Sequence, residues 1–229
     1  MISRQERFSA DASHQLKTPL AVLKTQASVA LASGDPRLWR ESLAAMSGTL
    51  NSTILLTERL LQLATIKRKE QGEQAFPPVD LQEIVHHSCF SRLQQARSKA
   101  IDLGYEGETS TVTIAGDGVL LSELCANLLD NAIRYTPQGG IVTVSLHRDG
   151  EAVLLDVEDS GPGIDDAQIQ QALMPFHRLE NVGDNPGAGL GLALVSDIAR
   201  LHRSHPQLLR SETLGGLKVR LRFLRARSE

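Results

Sequence analysis

The stretch Phe8-Ser-Ala-Asp11-Ala-Ser13-His14-Gln15-Leu16-Lys17-Thr18-Pro19-Leu20 decides how the opening of this chain is read. Its apolar residues recur at threes and fours, and the pattern runs on, so that Phe8, Ala12, Leu16, Leu20, Leu23, Ala27 and Ala30 form one stripe of a helix. Ser33-Gly34-Asp35-Pro36 then supplies residues that end a helix and turn the chain. From Leu38 to about Lys69 a second stripe follows through Leu43, Met46, Leu50, Ile54, Leu60, Leu61 and Ala64, and the spacing predicts a helical hairpin. Two helices cannot bury both stripes alone. Two hairpins paired as a four-helix bundle would bury them, which makes a homodimer the natural expectation. At roughly 100 degrees per residue, His14 falls about 200 to 240 degrees from the first stripe and points outward. An exposed His is ordinary by itself; with Thr18 one turn further on the same face, and Pro19 expected to bend the helix just beyond, it is less so.

The 229 residues are 41% hydrophobic, 22% charged and 3% aromatic, enough to bury a core and unlike a disordered or fibrous chain. With 24 basic and 27 acidic residues the net charge is -3, which gives no electrostatic ground for a nucleic-acid partner. No run approaches the roughly 20 apolar residues of a membrane helix, and Met1 to Arg7 holds no apolar stretch to serve as a signal peptide. A soluble chain without direct membrane contact is therefore expected. Cys89 and Cys125 fit neither a disulfide framework nor a metal cluster, and read as two ordinary thiols.

Gln71 to Pro78 is polar and ends in Pro77-Pro78, which stops a helix. The expected division is a helical hairpin over 1–70, a linker over 71–79 and a second domain over 80–229. In the second domain β-type segments (Thr111 to Ala115, Ile141 to His147, Ala152 to Glu158, Leu217 to Phe223) alternate with helical ones (Leu81 to about Ala100, Gly118 to Tyr135, Leu190 to His202). The class is α+β, with those helices laid on one face of a sheet.

Several clusters could carry chemistry. Gly187-Ala188-Gly189-Leu190-Gly191-Leu192 opens a helical pattern, so backbone N–H groups there could face a phosphate, or the cluster could be no more than a tight helix start. No strand precedes it, which disfavours a dinucleotide fold. Asp159-Ser160-Gly161-Pro162-Gly163-Ile164 follows a strand-like run; it fits a plain turn, or an acid accepting a hydrogen bond from a purine amino group while the glycines let the ligand approach. Asn127 and Asn131 share one helical face, either as solvated surface or as oxygen donors toward Mg²⁺.

Taken together these residues resemble the sensor histidine kinases of two-component signalling over nearly the whole chain. Phe8 to Leu20 is similar to the family's H box, Asn127 to Tyr135 to the N box, Asp159 to Ile164 to the first glycine box, Pro175-Phe176-His177-Arg178 to the F box, and Gly187 to Leu192 to the second glycine box. The H box is most similar to the branch that includes the tricarboxylate-sensing kinases. The resemblance implies a dimeric phosphotransfer bundle followed by an α/β-sandwich ATP-binding domain of the Bergerat type, from about Asp80 to Phe223, with ATP and Mg²⁺ as cofactors and a response regulator as partner. By that match His14 is the phosphoryl acceptor, Asn131 binds Mg²⁺, Asn127 supports the phosphates, Asp159 binds the adenine amino group, and Arg134 and Tyr135 border the nucleotide pocket. Gly161, Gly163, Ile164, Phe176, Arg178, Gly187, Gly189, Leu190, Gly191 and Leu192 complete the nucleotide-binding set. Asp165 to Ala188 is the implied lid, and Thr18 matches the position that orients water when the family dephosphorylates its regulator.

The sequence departs from the family pattern at three positions. Gln15 stands where an acid usually follows the His; an amide cannot take a proton there, although its oxygen can orient the imidazole N–H. Lys17 replaces the commoner Arg and loses the bidentate fork. Ala188 replaces a hydroxyl residue. Two rival readings remain open at the sequence level: a clamp ATPase of the same superfamily, and an ATP-binding phosphatase or scaffold without autokinase activity. Because the family's usual sensor and membrane parts do not precede Met1, the expectation is the catalytic core of a longer inner-membrane sensor, or a truncated gene product.

Overall fold

The structure is a computed structural model that describes residues 4–69, 76–107, 110–177 and 189–226. The chain divides into two compact units, Met1–Thr65 and Ile66–Glu229. The helical hairpin is α1 (Arg4–Ala32) and α2 (Pro36–Lys69), and the boundary between the units falls inside the last turn of α2. Helix α1 runs without interruption past Pro19. The turn forms because Asp35 accepts a hydrogen bond from the Arg37 N–H at 2.8 Å and Pro36, whose missing N–H costs nothing there, takes the first helical position. Trp39 Nε1 closes the turn by donating to the Ser33 carbonyl at 2.7 Å.

The hairpin covers only part of its apolar surface. Leu16, Leu23, Ala27 and Ala30 of α1 are half-buried, as is Met46 of α2, and Thr49 Oγ1 donates across to Gln26 Oε1 at 3.4 Å. Leu20, Leu43, Leu50, Ile54 and Leu61, all members of the expected stripes, stay largely open to solvent.

In the second unit β1 (Pro78–Asp80) leads into α3 (Leu81–Ser98), β2 (Asp102–Gly107), β3 (Thr113–Ala115), α4 (Gly118–Tyr135), β4 (Ile141–Asp149) and β5 (Ala152–Asp159). A short 3-10 turn over Asp166–Gln168 and α5 (Ile169–Ala172) follow, then α6 (Gly191–Leu201), β6 (Gln207–Arg210) and β7 (Leu217–Leu224). Five strands form one sheet in the order β2-β4-β5-β7-β6, and β1 pairs with β3 in a small separate ladder. Among the described strands only β2 and β4 are parallel, and a parallel pair needs a crossover connection, which α4 supplies. The crossover therefore lays the Asn127/Asn131 helix across the sheet.

One sheet face and the helices make the core. Leu121, Leu124, Leu128, Leu129 and Ile133 of α4 and Leu194, Val195 and Ile198 of α6 are buried together with Val142, Val144 and Leu146 of β4, Val153, Leu155 and Val157 of β5, and Val219, Leu221 and Phe223 of β7. The opposite face carries charged pairs in register, Asp156 against Arg220 and Glu158 against Lys218. Helices α3, α4 and α6 and the four expected strands stand where the periodicity put them. Strands β2 and β6 were not expected: Asp-Leu-Gly-Tyr-Glu-Gly lacks an alternating pattern, and it becomes a strand because β4 offers its backbone a partner. Strand β1 begins within the stretch expected to be linker, and residues 71–75 of that stretch lie outside the described residues.

Candidate functional site

His14 is exposed on α1, as are Ser13, Gln15, Lys17 and Thr18, so the outward orientation derived from helical geometry holds. Thr18 Oγ1 donates to the His14 carbonyl at 3.4 Å, which puts the hydroxyl one turn above the imidazole-bearing residue on the same face.

The second site is built at the ends of α4, β5 and α6. Asp159, the last residue of β5, is 5% exposed. Its Oδ1 accepts from the Gly161 N–H at 2.8 Å and the Leu217 N–H at 3.2 Å, and among the described residues Oδ2 is left to accept a further donor. Burial pushes its carboxyl above the usual range, and the two backbone hydrogen bonds oppose that rise. Glycines make this arrangement possible. A Cβ at Gly161 would stand 2.8 Å from Asp159 Oδ1 and 2.9 Å from the Tyr135 carbonyl oxygen. Gly163 adopts φ +76, and Ile164 beside it is half-buried.

Asn127 is 5% exposed, which removes the solvated-surface reading for it, and its Nδ2 donates to the Glu123 carbonyl at 2.8 Å. Asn131, on the same face of α4, reaches the start of α6: a Cβ at Gly191 would lie 3.0 Å from Asn131 Nδ2 and 3.1 Å from Oδ1. Arg134 and Tyr135 are half-buried in the last turn of α4. Phe176 (φ +64) donates its N–H to the Gly189 carbonyl at 3.0 Å, so the F-box and second glycine-box segments meet. Gly189 has φ +66, and a Cβ there would strike the His177 carbonyl oxygen at 2.7 Å. Leu190 is buried, while Gly191 and Leu192 open α6 half-buried. Arg178, Gly187, Ala188 and the rest of the implied lid over 178–188 lie outside the described residues.

The arrangement is a polar, glycine-lined cradle between an Asn-bearing helix and a buried acid. Residues 4–69 match the family described as the His Kinase A phospho-acceptor domain, and residues 116–227 match the histidine kinase-, DNA gyrase B- and HSP90-like ATPases. The chain belongs to the sensor histidine kinases. It is similar to the sensor protein kinase PmrB of Pseudomonas aeruginosa, 34% identical over 201 residues that cover 88% of this chain and 42% of that protein. It is similar also to QseC of Escherichia coli K12 (31% over 222 residues, 96% of this chain and 48% of that one) and CutS of Streptomyces coelicolor (33% over 222 residues, 95% and 52%). The chain spans about half the length of these curated relatives. Among solved structures, a mycobacterial sensor histidine kinase, MprB, superimposes with TM-score 0.58 at 27% identity over 67% of this chain and 99% of that one. The Acinetobacter baumannii histidine kinase AdeS, TM-score 0.67 at 20% identity over 92% of this chain and 97% of that one, shares the fold. The finer likeness to the tricarboxylate-sensing branch rests on the H box alone.

Sequence reasoning about this sensor histidine kinase missed Gly216 and Leu217. A Cβ at Gly216 would stand 2.3 Å from the Asp159 carbonyl oxygen and 2.5 Å from its Oδ1, so the strand that follows can donate to the acid only because position 216 has no side chain. The signal was the Gly215-Gly216 pair ahead of the last strand. Among the described residues no helix is long and apolar enough to cross a membrane, and no group of three or more His, Cys, Asp or Glu converges as a metal site. Mg²⁺ needs no such cage, because it keeps several waters and shares its shell with phosphate oxygens.

Proposed function

We propose that this chain transfers the γ-phosphoryl group of ATP to His14 and passes it on to an aspartate of a response regulator. The observation that carries the reading is the Asp159 cradle: a buried acid with one oxygen held by two backbone N–H groups and the other left to accept from the adenine amino group, in a cleft where Gly161 and Gly216 leave room for no Cβ. A purine without that amino group would leave the acid unpaired, a discrimination that hydrogen-bonding sites make strongly. Asn131 fits Mg²⁺, since its amide oxygen is a hard neutral donor beside the N-terminus of α6, whose backbone N–H groups and positive dipole end would favour bound phosphates. When bound, Mg²⁺ neutralises charge on the phosphate oxygens. The Asn127 oxygen, held on α4 by the bond from its own Nδ2 to Glu123, serves the same end of the nucleotide.

The unprotonated ring nitrogen of an imidazole carries a nucleophilic lone pair, so the acceptor needs positioning more than activation. Gln15 orients the ring in place of the usual acid. Thr18, one turn from His14, positions the water that hydrolyses the regulator's aspartyl phosphate, which makes the protein bifunctional; Thr18→Ala lowers that phosphatase activity and spares autophosphorylation. The bundle acts as a homodimer, and the chain serves as the cytoplasmic part of a longer membrane-anchored sensor.

The test is incubation with γ-labelled ATP and Mg²⁺, on the chain and on His14→Ala. Label that survives alkali, is lost in acid and is absent from the variant is expected. Nucleotide binding without label would replace the kinase reading by that of a phosphatase or scaffold, and phosphate release without a phosphoprotein would point to a clamp ATPase.

A further inference from the structure

Lys99 closes α3, where its N–H bonds to the Ala96 and Arg97 carbonyls, but its side chain serves another helix. Nζ donates to the carbonyl oxygens of Ile133 at 2.8 Å, Arg134 at 2.9 Å and Thr136 at 2.8 Å. An ammonium has three donors, and all three are used. Ile133 and Arg134 lie in the last turn of α4, where carbonyls have no partner within the helix, and the capping residue Thr136 is extended (φ -70, ψ 131), so the chain leaves α4 without the left-handed residue that commonly ends a helix. A cation from a neighbouring element does the capping, at the negative end of the dipole.

The same turn is tied back in the opposite direction. Gly139 N–H donates to the Lys99 carbonyl at 3.0 Å, and Asp102 N–H to the Gly140 carbonyl at 2.9 Å. The clamped segment then borders the adenine end of the cradle. The Tyr135 carbonyl is one of the atoms that leave no room for a Cβ at Gly161. Ser160, the residue after Asp159, is held by Ile141 twice: its N–H donates to the Ile141 carbonyl at 3.0 Å and its Oγ accepts from the Ile141 N–H at 2.9 Å. Gly140 sits between, where a Cβ would lie 2.4 Å from Thr136 Cγ2 and 2.6 Å from Ser160 Oγ. The links from Lys99 to Asp159 are hydrogen bonds, the peptide chain itself and close packing around Gly140 and Gly161.

We propose that Lys99 is a positioning residue of the nucleotide site: from outside the pocket, its ammonium fixes the last turn of α4 and, through the 136–141 turn and Ser160, the placement of Asp159 against the adenine amino group. Asn127 and Asn131 lie further up α4, with helix on both sides, and keep their places without it. Losing Lys99 therefore harms recognition of the base and leaves the phosphate end intact. This rests on the adenine-binding role proposed for Asp159.

The test measures affinity for ATP and for inosine triphosphate, which lacks the amino group, in wild type, Lys99→Met, Lys99→Arg and Val85→Ala. Val85 is a buried α3 residue, so its truncation loosens the same helix by cavity formation without touching the end of α4. In wild type ATP is preferred. Lys99→Met weakens ATP about tenfold and inosine triphosphate less than about threefold, Lys99→Arg recovers part of the preference, and Val85→Ala lowers the melting temperature with the preference unchanged. An unchanged preference in Lys99→Met, or an equal loss in Val85→Ala, overturns the proposal while leaving Asp159 its role. A wild type indifferent to the amino group removes both. If Lys99→Met does not fold, Lys99→Arg decides alone: its fork matches three converging carbonyls poorly, and a wild-type preference in it counts against positioning.

Discussion

At the scale of single residues, the cradle depends on atoms that are absent. Gly216 has an ordinary φ, so its identity is not a matter of backbone freedom; the neighbouring Asp159 backbone and side chain leave no volume for a methyl group. Because the obstructing atoms include backbone, they cannot swing aside. Gly216→Ala is expected to cost about 1–3 kcal/mol of stability and to abolish measurable nucleotide binding, read by thermal melting and by titration with a fluorescent nucleotide. Wild-type affinity in that variant would show that Asp159 does not need the Leu217 hydrogen bond. The two cysteines show burial acting on a thiol. Desolvation pushes the Cys89 thiol up to about 11, with Arg92 opposing, and the fully buried Cys125 thiol up to about 12. A raised thiol pKa lowers the fraction of reactive thiolate at both positions.

At the scale of elements, two features separate local preference from tertiary demand. The turn between α3 and β2 places Ala100 at φ +52, in the left-handed region where a Cβ is strained. Ala100→Gly is expected to stabilise the second unit by about 1 kcal/mol, seen as a higher melting temperature with nucleotide affinity unchanged. The open sheet face holds the second feature. Burial acts to raise the Asp156 carboxyl, but hydrogen bonds from Arg220 (2.8 and 2.6 Å) and the Lys218 ammonium at 3.0 Å outweigh it and hold its pKa below the usual value. Glu158 is likewise lowered: burial raises it, while Lys218, Ser211 and Thr213 lower it by more. A carboxylate with a depressed folded-state pKa stabilises fully above its unfolded value of about 4 and loses that stabilisation as pH falls through the folded value. Asp156→Asn is therefore expected to lower stability by about 1–3 kcal/mol near neutral pH and to flatten the decline of melting temperature below about pH 4. A variant whose acid profile matches wild type would assign that decline to other groups.

At the scale of the whole molecule, the hairpin's apolar residues fall into two sets. Leu16, Leu23 and Met46 face inward, while Leu20, Leu43, Leu50, Ile54 and Leu61 are 49–64% exposed. A set of large exposed apolar residues on one pair of helices is the mark of an interaction surface, and in the homodimer proposed above a second hairpin would cover it. Sedimentation equilibrium is expected to give a dimer at micromolar concentration, and Leu50→Glu with Leu61→Glu to give a monomer that still binds nucleotide. A wild-type monomer under those conditions would leave the exposed leucines without that explanation.

The sequence by itself determined the hairpin, the three helices and four strands of the second unit, the outward direction of His14 and the order of the five motifs, because periodicity and turn chemistry are local and each motif is a contiguous stretch. Tertiary structure alone decided the rest. Strand β2 exists because β4 lies beside it, Gly216 matters because β7 passes Asp159, and Lys99 caps a helix remote from it in sequence. Each depends on segments far apart in the chain meeting within hydrogen-bond distance, and periodicity within one segment does not encode which other segment it will meet.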